Sequence, residues 1–381
     1  MASVPQNILV FGNGPVAHCL ALGLSIANFS VRLVRKPCLK TSENKKDPRA
    51  WAMRPASLRF LESLGVEVTR QAPLKAMHVW QSDRDGTPIP GELHLTPNCD
   101  GTLGAILPNS SLREAIWKAI SDSHIEVYES ASDSAMEVCS TEGAAIALIC
   151  DPSWSTGLNP SAKASSWAYK QIAVTAPVQL SKPHDGIAKQ VFLPSGPLAV
   201  LPLPNPNEAS LLWSITKERW LGLQNLPELQ EKVSDFCRTD LSFNPEALRT
   251  FPLSASNAST YLGNGYALIG DAAHKVHPLA GQGLNLSLAD VGAVIDSLAQ
   301  ARRVGADLST EFSLHNYERK RRPQNEAMRA ATDQLHNLFN ATWGPIRFAR
   351  SIGLNVFDSS RLKNYLIDIM SDETPLSDHL N

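Results

Sequence analysis

The sequence predicts an α/β protein: a Rossmann-like βαβ domain, an inserted and mostly antiparallel β-sheet, and a helical C-terminal region. Three observations carry the prediction. From Asn7 the chain reads NILVF, GNGPVA, HCLALGLSIANF and VRLV, which is a buried strand, a glycine turn, an apolar helix and a second strand. Between Ser166 and Ile215 the texture changes to short β-rich runs broken by Pro and Gly: WAYKQIAVTA, QVFLPSGPLAVLPLP and ASLLWSI. Near Gly265 the αβ texture returns with YALIG, a second glycine-rich loop, and a helix on which Leu284, Leu288, Val291, Ile295 and Leu298 keep helical spacing.

The remaining elements follow in order. After the second strand comes a charged, loop-like stretch, SENKKDPRAWAM. In SLRFLESLG, Leu58, Leu61 and Leu64 share one helical face, and Gly65 is the expected stop. NSSLREAIWKAI, from Asn109, reads as a helix with a serine near its start as cap. From Asp307 onward the pattern is mainly helical. No internal repeat or low-complexity segment interrupts it.

Composition narrows the function classes. A chain of 381 residues with 43% apolar content can fill two domains or one large domain with a second lobe. The 35 basic and 37 acidic residues leave no general field for nucleic acid, so small molecules are the expected partners. Cys19, Cys38, Cys99, Cys139, Cys150 and Cys237 form no CxxC pair, which argues against a disulfide framework or thiolate metal site and for a reducing cytoplasm. MASVPQ lacks signal-peptide character, and no apolar run approaches the roughly 18 residues of a membrane span, so the expectation is a soluble protein, at most peripheral to a membrane.

Each glycine loop carries chemistry. In Gly12-Asn13-Gly14-Pro15-Val16-Ala17 the glycines fall where a strand turns into a helix, letting backbone N–H groups meet a pyrophosphate. The acidic ribose partner expected about 20 positions on is replaced by Arg35, which cannot accept hydroxyl protons. The hydroxyls are then satisfied elsewhere, affinity is reduced, a 2′-phosphate is bound, or Arg35 points to solvent. In the second loop a strand delivers Asp271, a carboxylate suited to sugar-like hydroxyls. Pro278, Gly281 and Gly283 let the backbone run against a flat ligand, and the helix from about Leu284 points its positive end there, which suits an anion forming on a flavin ring.

GDAAHKVHPLAGQGLNLSLADV resembles the second flavin-binding motif of the class A flavoprotein aromatic hydroxylases, most closely the ubiquinone-biosynthesis hydroxylases. The likeness extends in order through RAWAM at Arg49, AKQVFLPSGPLAVLPLP with Trp213 beyond it, FPLSAS and YERKRRPQNEAM. It implies a p-hydroxybenzoate-hydroxylase-like fold with bound FAD. The implied FAD-binding domain takes residues 1–70, 100–160 and 255–305, the substrate domain 71–99 and 161–254, and the helical region 306–381. The resemblance assigns Gly12, Gly14 and Ala17 to the pyrophosphate, Asp271 to the ribityl chain, and Gly281, Gln282, Gly283, Leu284 and Asn285 to the isoalloxazine ring. Pro278 joins that set, Arg49 approaches the cofactor, and Arg35 stands at the adenosine end. The implied activity is ring hydroxylation of a lipophilic phenol or quinol in ubiquinone biosynthesis, through a flavin C4a-hydroperoxide formed with O₂ and with NAD(P)H or another reductant. No side-chain acid–base pair is expected, because the flavin carries the chemistry and the middle sheet covers the ring.

Two positions depart from the family pattern. One is Arg35; the other is Ile149-Cys150-Asp151-Pro152 in place of a GADG-like motif, where proline removes a flexible glycine and an N–H. They motivate a second reading, a structural partner in a biosynthetic complex with weakened FAD binding. A hydroxylase of another aromatic substrate is a third. His274 and His277 are expected to pack within the loop rather than bind metal, and no GxSxG elbow suggests a serine hydrolase. Arg319 to Arg322 read as a solvated helix face interrupted by Pro323, and Trp213 and Trp220 as core or pocket wall. Residues 341–366 mix Trp343, Phe348, Leu354 and Phe357 with Arg347, Arg350, Arg361 and Lys363. That mixture is suited to anionic lipid at the inner membrane, to covering a hydrophobic entrance, or to a C-terminal helix packed on the flavin domain.

Overall fold

The computed structural model describes residues 7–37, 47–83, 85–97, 101–158, 165–223, 225–276 and 282–340, with 367, 370, 372 and 374–380. Two large sheets organise them. The first has the order Leu262–Gly263, Tyr266–Leu268, Ile146–Ile149, Ile8–Phe11, Val31–Arg35, Glu126–Glu129. Its strands are parallel except for the edge hairpin at Leu262–Gly263. Ile8–Phe11 and Ile146–Ile149 are buried at every position, as expected of parallel strands covered on both faces.

The helices Pro15–Ile26 and Gln282–Arg303 pack together over this sheet. Gly23 sets their spacing, since a Cβ there would lie 2.3 Å from Ile295 Cδ1. The apolar stripe expected on the second helix is real: Leu284, Leu288, Val291, Ile295 and Leu298 are all buried.

The second sheet has nine strands among the described residues and is antiparallel except where Ile187–Leu193 pairs with Ala76–Ser82. It contains Ser165–Leu180, Ile187–Leu193, Gly196–Pro202 and Glu208–Thr216, the β-rich region expected from the sequence. Ala76–Ser82 and Pro88–Leu95 join it from an earlier part of the chain. Trp213 is buried in its core against Phe236, and Trp220 is half-buried. A small antiparallel sheet, Ala50–Met53, Ala105–Pro108 and Ala72–Pro73, completes the set.

Two local expectations are corrected. The helix Asn109–Ser121 has no side-chain cap. The Asn109 side chain instead accepts from Trp51 Nε1 at 2.9 Å and donates to Asp47 at 2.7 Å, so a tertiary network takes the polar group at the helix start. Pro323 does not interrupt its helix, which runs from His315 to Asn340. Residues 341–366, with the basic and aromatic stretch, lie outside the described residues, as do Cys38 and Cys99.

Candidate functional site

The first glycine loop leaves the end of Ile8–Phe11. Gly12 has φ +152°, and a Cβ would lie 3.0 Å from Ala17 Cβ and 3.5 Å from Asp151 Cβ, so both backbone conformation and space select glycine. At Gly14 a Cβ would meet nothing within 4 Å. The helix Pro15–Ile26 begins there without a side-chain cap, so its first-turn N–H groups face an opening that an anion can fill. Asn13 fixes the loop to the end of the second strand, accepting from Lys36 N–H at 2.8 Å and donating to Lys36 O at 3.1 Å.

His18 donates from Nδ1 to Gly14 O at 2.6 Å and meets Trp117 edge-on. Burial lowers its pKa from 6.5 to about 4; the Gly14 bond opposes this, and Arg35 and Arg113 add to it. The unfolded chain therefore binds the extra proton first. Stability is expected to fall as pH drops through the window from 6.5 to about 4 and to stay level below it. The loss approaches about 3 kcal/mol, and His18→Gln should flatten that part of a denaturant-midpoint profile.

The departures from the family pattern have a structural setting. Arg35 ends Val31–Arg35 with its guanidinium 4.7 Å from the Trp117 ring centroid, and its Nε has no hydrogen-bond partner among the described residues. Lys36 pairs with Asp133 at 2.5 Å, bonds Ser132 O, and lies 4.1 Å from the Trp154 ring centroid. Pro152 opens a single 3-10 turn, Pro152–Trp154, where its fixed φ is compatible and its missing N–H costs nothing. Asp151 caps that turn, accepting from Ser153 N–H at 2.9 Å, and Trp154 packs fully buried on Phe11.

The second glycine loop crosses between the two large sheets. Tyr266–Leu268 lies in the parallel sheet, the turn Gly270–Ala272 follows, and His274–Lys275 pairs with Arg249–Asn257 of the nine-stranded sheet. Gly270 has φ +57°, and a Cβ would lie 3.0 Å from Ser287 Oγ and 3.3 Å from Val16 Cγ1. It is thus wedged between the helices that begin at the two glycine loops.

Asp271 makes no hydrogen bond among the described residues, and it is exposed. Crowding by protein atoms raises its pKa; Lys275, His274 and Arg49 oppose this, and Asp151 adds to it. Asp271 thus lies within electrostatic reach of Asp151 and Arg49. Arg49 itself is held by Asp47, with Nη2 2.6 Å from Oδ2, and lies over Phe251. Burial would raise the Asp47 pKa, but Arg49 holds it below the usual carboxylate value.

His277, Pro278 and Gly281 lie outside the described residues. The helix begins at Gln282, two residues before the expected Leu284. Gly283 leaves open space where a Cβ would sit, and Leu284 is buried. The Asn285 side chain is wholly buried as a clamp: Oδ1 accepts from Arg54 N–H at 3.0 Å, and Nδ2 donates to Ala52 O at 2.8 Å.

Behind the loop lies a network that the sequence reading missed. Asp290 is fully buried and accepts from His274 Nε2 at 2.5 Å, Arg321 Nε at 2.8 Å, Asn325 Nδ2 at 3.1 Å and Gly270 N–H at 3.3 Å. Arg321 is 6% exposed, so the expected solvated face from Arg319 to Arg322 is wrong at this position. The available signal was Asp290 itself, a carboxylate next to Val291 of the helix's apolar stripe.

Between the nine-stranded and small sheets, against Gln282, lies a recess with mostly apolar walls. Leu74, Leu103, Ile106, Ala188 and Leu201 supply much of its wall. The open helix start at Gly14, the unbonded Asp271 carboxylate and the open Gly283 beside this recess match, in order, a pyrophosphate, a polyhydroxyl chain and a flat ring. An FAD fits that set.

Residues 155–332 match the family model described as FAD binding domain. The 3-demethoxyubiquinol 3-hydroxylase of Escherichia coli (strain K12) is 30% identical over 380 residues, covering 93% of this chain and 95% of that protein. The mitochondrial ubiquinone biosynthesis monooxygenase COQ6 of Xenopus tropicalis is 28% identical over 419 residues, covering 91% and 89%. Among solved structures, P. aeruginosa PqsL in complex with 2-aminobenzoylacetate has TM-score 0.71 at 20% identity, covering 91% of this chain and 99% of that one. The p-nitrophenol 4-monooxygenase PnpA from Pseudomonas putida DLL-E4 also has TM-score 0.71, at 15% identity and 98% and 99% coverage. The solved structures establish the fold, and the full-length sequence match establishes the kinship: the chain belongs to the FAD-dependent hydroxylases of ubiquinone biosynthesis.

Proposed function

We propose that this protein hydroxylates the aromatic ring of a lipophilic phenol or quinol on the route to ubiquinone. One observation carries the reading beyond kinship: the apolar recess abuts the start of the helix Gln282–Arg303, where the ring end of FAD belongs. Bound FAD, reduced by NAD(P)H, would supply the activation of O₂, one atom of which enters the ring while the other leaves as water. The chain binds, orients and excludes water. Gly12, Gly14 and Ala17 hold the pyrophosphate, Asp271 the ribityl hydroxyls, and the backbone through Gln282, Gly283, Leu284 and Asn285 the ring. Arg49 reaches the cofactor through the charge it shares with Asp47 and Asp271. The parallel sheet serves as cofactor domain and the nine-stranded sheet as substrate cover.

The lipophilic substrate suggests delivery from a membrane surface or a multi-protein complex at the inner membrane. No helix among the described residues is long and apolar enough to cross a membrane. The test is reconstitution: FAD-loaded protein with NAD(P)H or a flavin reductase, O₂ and a short-chain demethoxyubiquinol, with products read by mass spectrometry. A product carrying one added oxygen supports the reading; reductant consumption with unchanged substrate refutes it.

Arg35 favours a second reading, in which the chain serves a biosynthetic complex with weakened FAD affinity, because no carboxylate ends that strand. Arg35→Glu is expected to tighten FAD about tenfold by restoring an acceptor for the ribose. Fluorescence titration checks it, and an unchanged Kd would place Arg35 away from the adenosine. A protein that stays colourless at saturating FAD would favour the scaffold.

A further inference from the structure

Arg54 stands where the small sheet, the cofactor helix and the recess meet. It follows the strand Ala50–Met53, and the clamp from Asn285 Oδ1 to its main-chain N–H fixes its position. It lines the recess beside Met53 and Gln282. Its Nε is buried and has no hydrogen-bond partner, and no carboxylate lies within ion-pair distance, among the described residues. Asp372 is the acid whose field supports its charge, but Asp372 Oδ1 is already bonded by Thr374 N–H at 2.9 Å and Oγ1 at 2.5 Å. Burial lowers the Arg54 pKa, yet a guanidinium stays protonated at ordinary pH. A cation so placed, in a cavity whose other walls are mostly apolar, is stabilised by an anion that arrives with the ligand.

We infer that Arg54 binds the ring hydroxyl of the substrate in its ionised form. On binding, the phenol O–H bond breaks, the proton passes to solvent, and the oxyanion accepts hydrogen bonds from the guanidinium. An ionised phenol is electron-rich at its ortho and para carbons, the positions that an electrophilic oxygen attacks. The apolar remainder of the recess takes the hydrocarbon substituent. Arg54 would thus select phenols over neutral aromatics and bias which ring carbon faces the cofactor. The inference rests on the proposed phenol or quinol substrate.

The test uses FAD-loaded protein and a prenylated p-nitrophenol, whose neutral and ionised forms differ in absorbance. Difference spectra across pH give the pKa of the bound probe. Wild type is expected to lower it by about 1–3 units relative to free probe, as a close guanidinium does for an oxyanion. Arg54→Lys should keep part of the shift. Arg54→Gln should abolish it and weaken binding of the ionised probe at least tenfold, with FAD content retained. Binding by wild type with an unshifted pKa overturns the inference and leaves the substrate class standing. An Arg54→Gln protein that loses FAD while its remaining holoprotein keeps the shift overturns it too, and assigns Arg54 to the cofactor. Failure of wild type to bind any prenylated phenol overturns the substrate class as well.

Discussion

Asp290→Ala is expected to destabilise the fold by about 3–5 kcal/mol, because removing one partner strands buried charge without compensation. Arg321 and His274 would both lose their carboxylate, and at 6% and 3% exposure neither can turn to water in place. The damage should spread. Asp290 joins the helix Gln282–Arg303 to the helix His315–Asn340 through Arg321 and Asn325, and to the cofactor turn through Gly270 and His274. Tyr317 adds a parallel tie, donating to Leu268 O at 2.8 Å just before that turn.

Thermal unfolding should therefore shift down on the order of 5–15 °C. Asp290→Asn, which keeps an acceptor, should cost less. The double variant Asp290→Leu, Arg321→Met should recover much of the loss, since an apolar replacement of a whole buried ion pair is often neutral. The pH dependence has a defined sign. Burial alone would raise the Asp290 pKa, but His274 and Arg321 outweigh it and hold it low. Its contribution is present above the unfolded aspartate pKa and is lost as pH falls through the lower folded value. Differential scanning calorimetry of wild type and variants from neutral to acid pH checks this, and a variant within about 1 kcal/mol of wild type would remove the network from the stability argument.

The contrast between what the sequence revealed and what it concealed follows the range of the interactions. The first parallel strand, the two glycine turns and the long apolar helix were legible because each is a local pattern: full burial at Ile8–Phe11, positive φ at Gly12 and Gly270, helical spacing from Leu284 to Leu298. The serine cap expected for the helix from Asn109 is absent because the N-cap position falls on Pro108, and the polar side chain at the helix start, Asn109, bonds Asp47, 62 positions away. Arg321 was misread because its partner Asp290 is 31 positions distant, and a run of basic residues on a helix ordinarily faces water. Pro152 looked disruptive as a replacement for glycine, yet the turn it opens is one that proline fits. Arg54 drew no notice as one more basic residue near RAWAM; only the recess around it distinguishes it.

Asp271→Ala is expected to strip FAD from an otherwise folded protein. The residue is exposed and its side chain bonds to nothing among the described residues, so its loss breaks no internal hydrogen bond and should leave the unfolding midpoint of the apoprotein nearly unchanged. Its effect on the cofactor should be large. A carboxylate accepting from two ribityl hydroxyls makes charge-assisted bonds of about 1.5–3 kcal/mol each, so affinity should fall roughly 100-fold or more. Asp271→Asn keeps one acceptor oxygen and should retain an intermediate affinity. Because crowding raises the Asp271 pKa, wild-type FAD affinity should begin to decline on acidification above the usual aspartate range, and that early decline should vanish in Asp271→Asn. Equilibrium dialysis against FAD, with circular dichroism of each apoprotein, separates the two effects. Full flavin retention by a folded Asp271→Ala would move the ribityl chain away from this turn, and the glycine loop would then need another ligand to account for its open carboxylate.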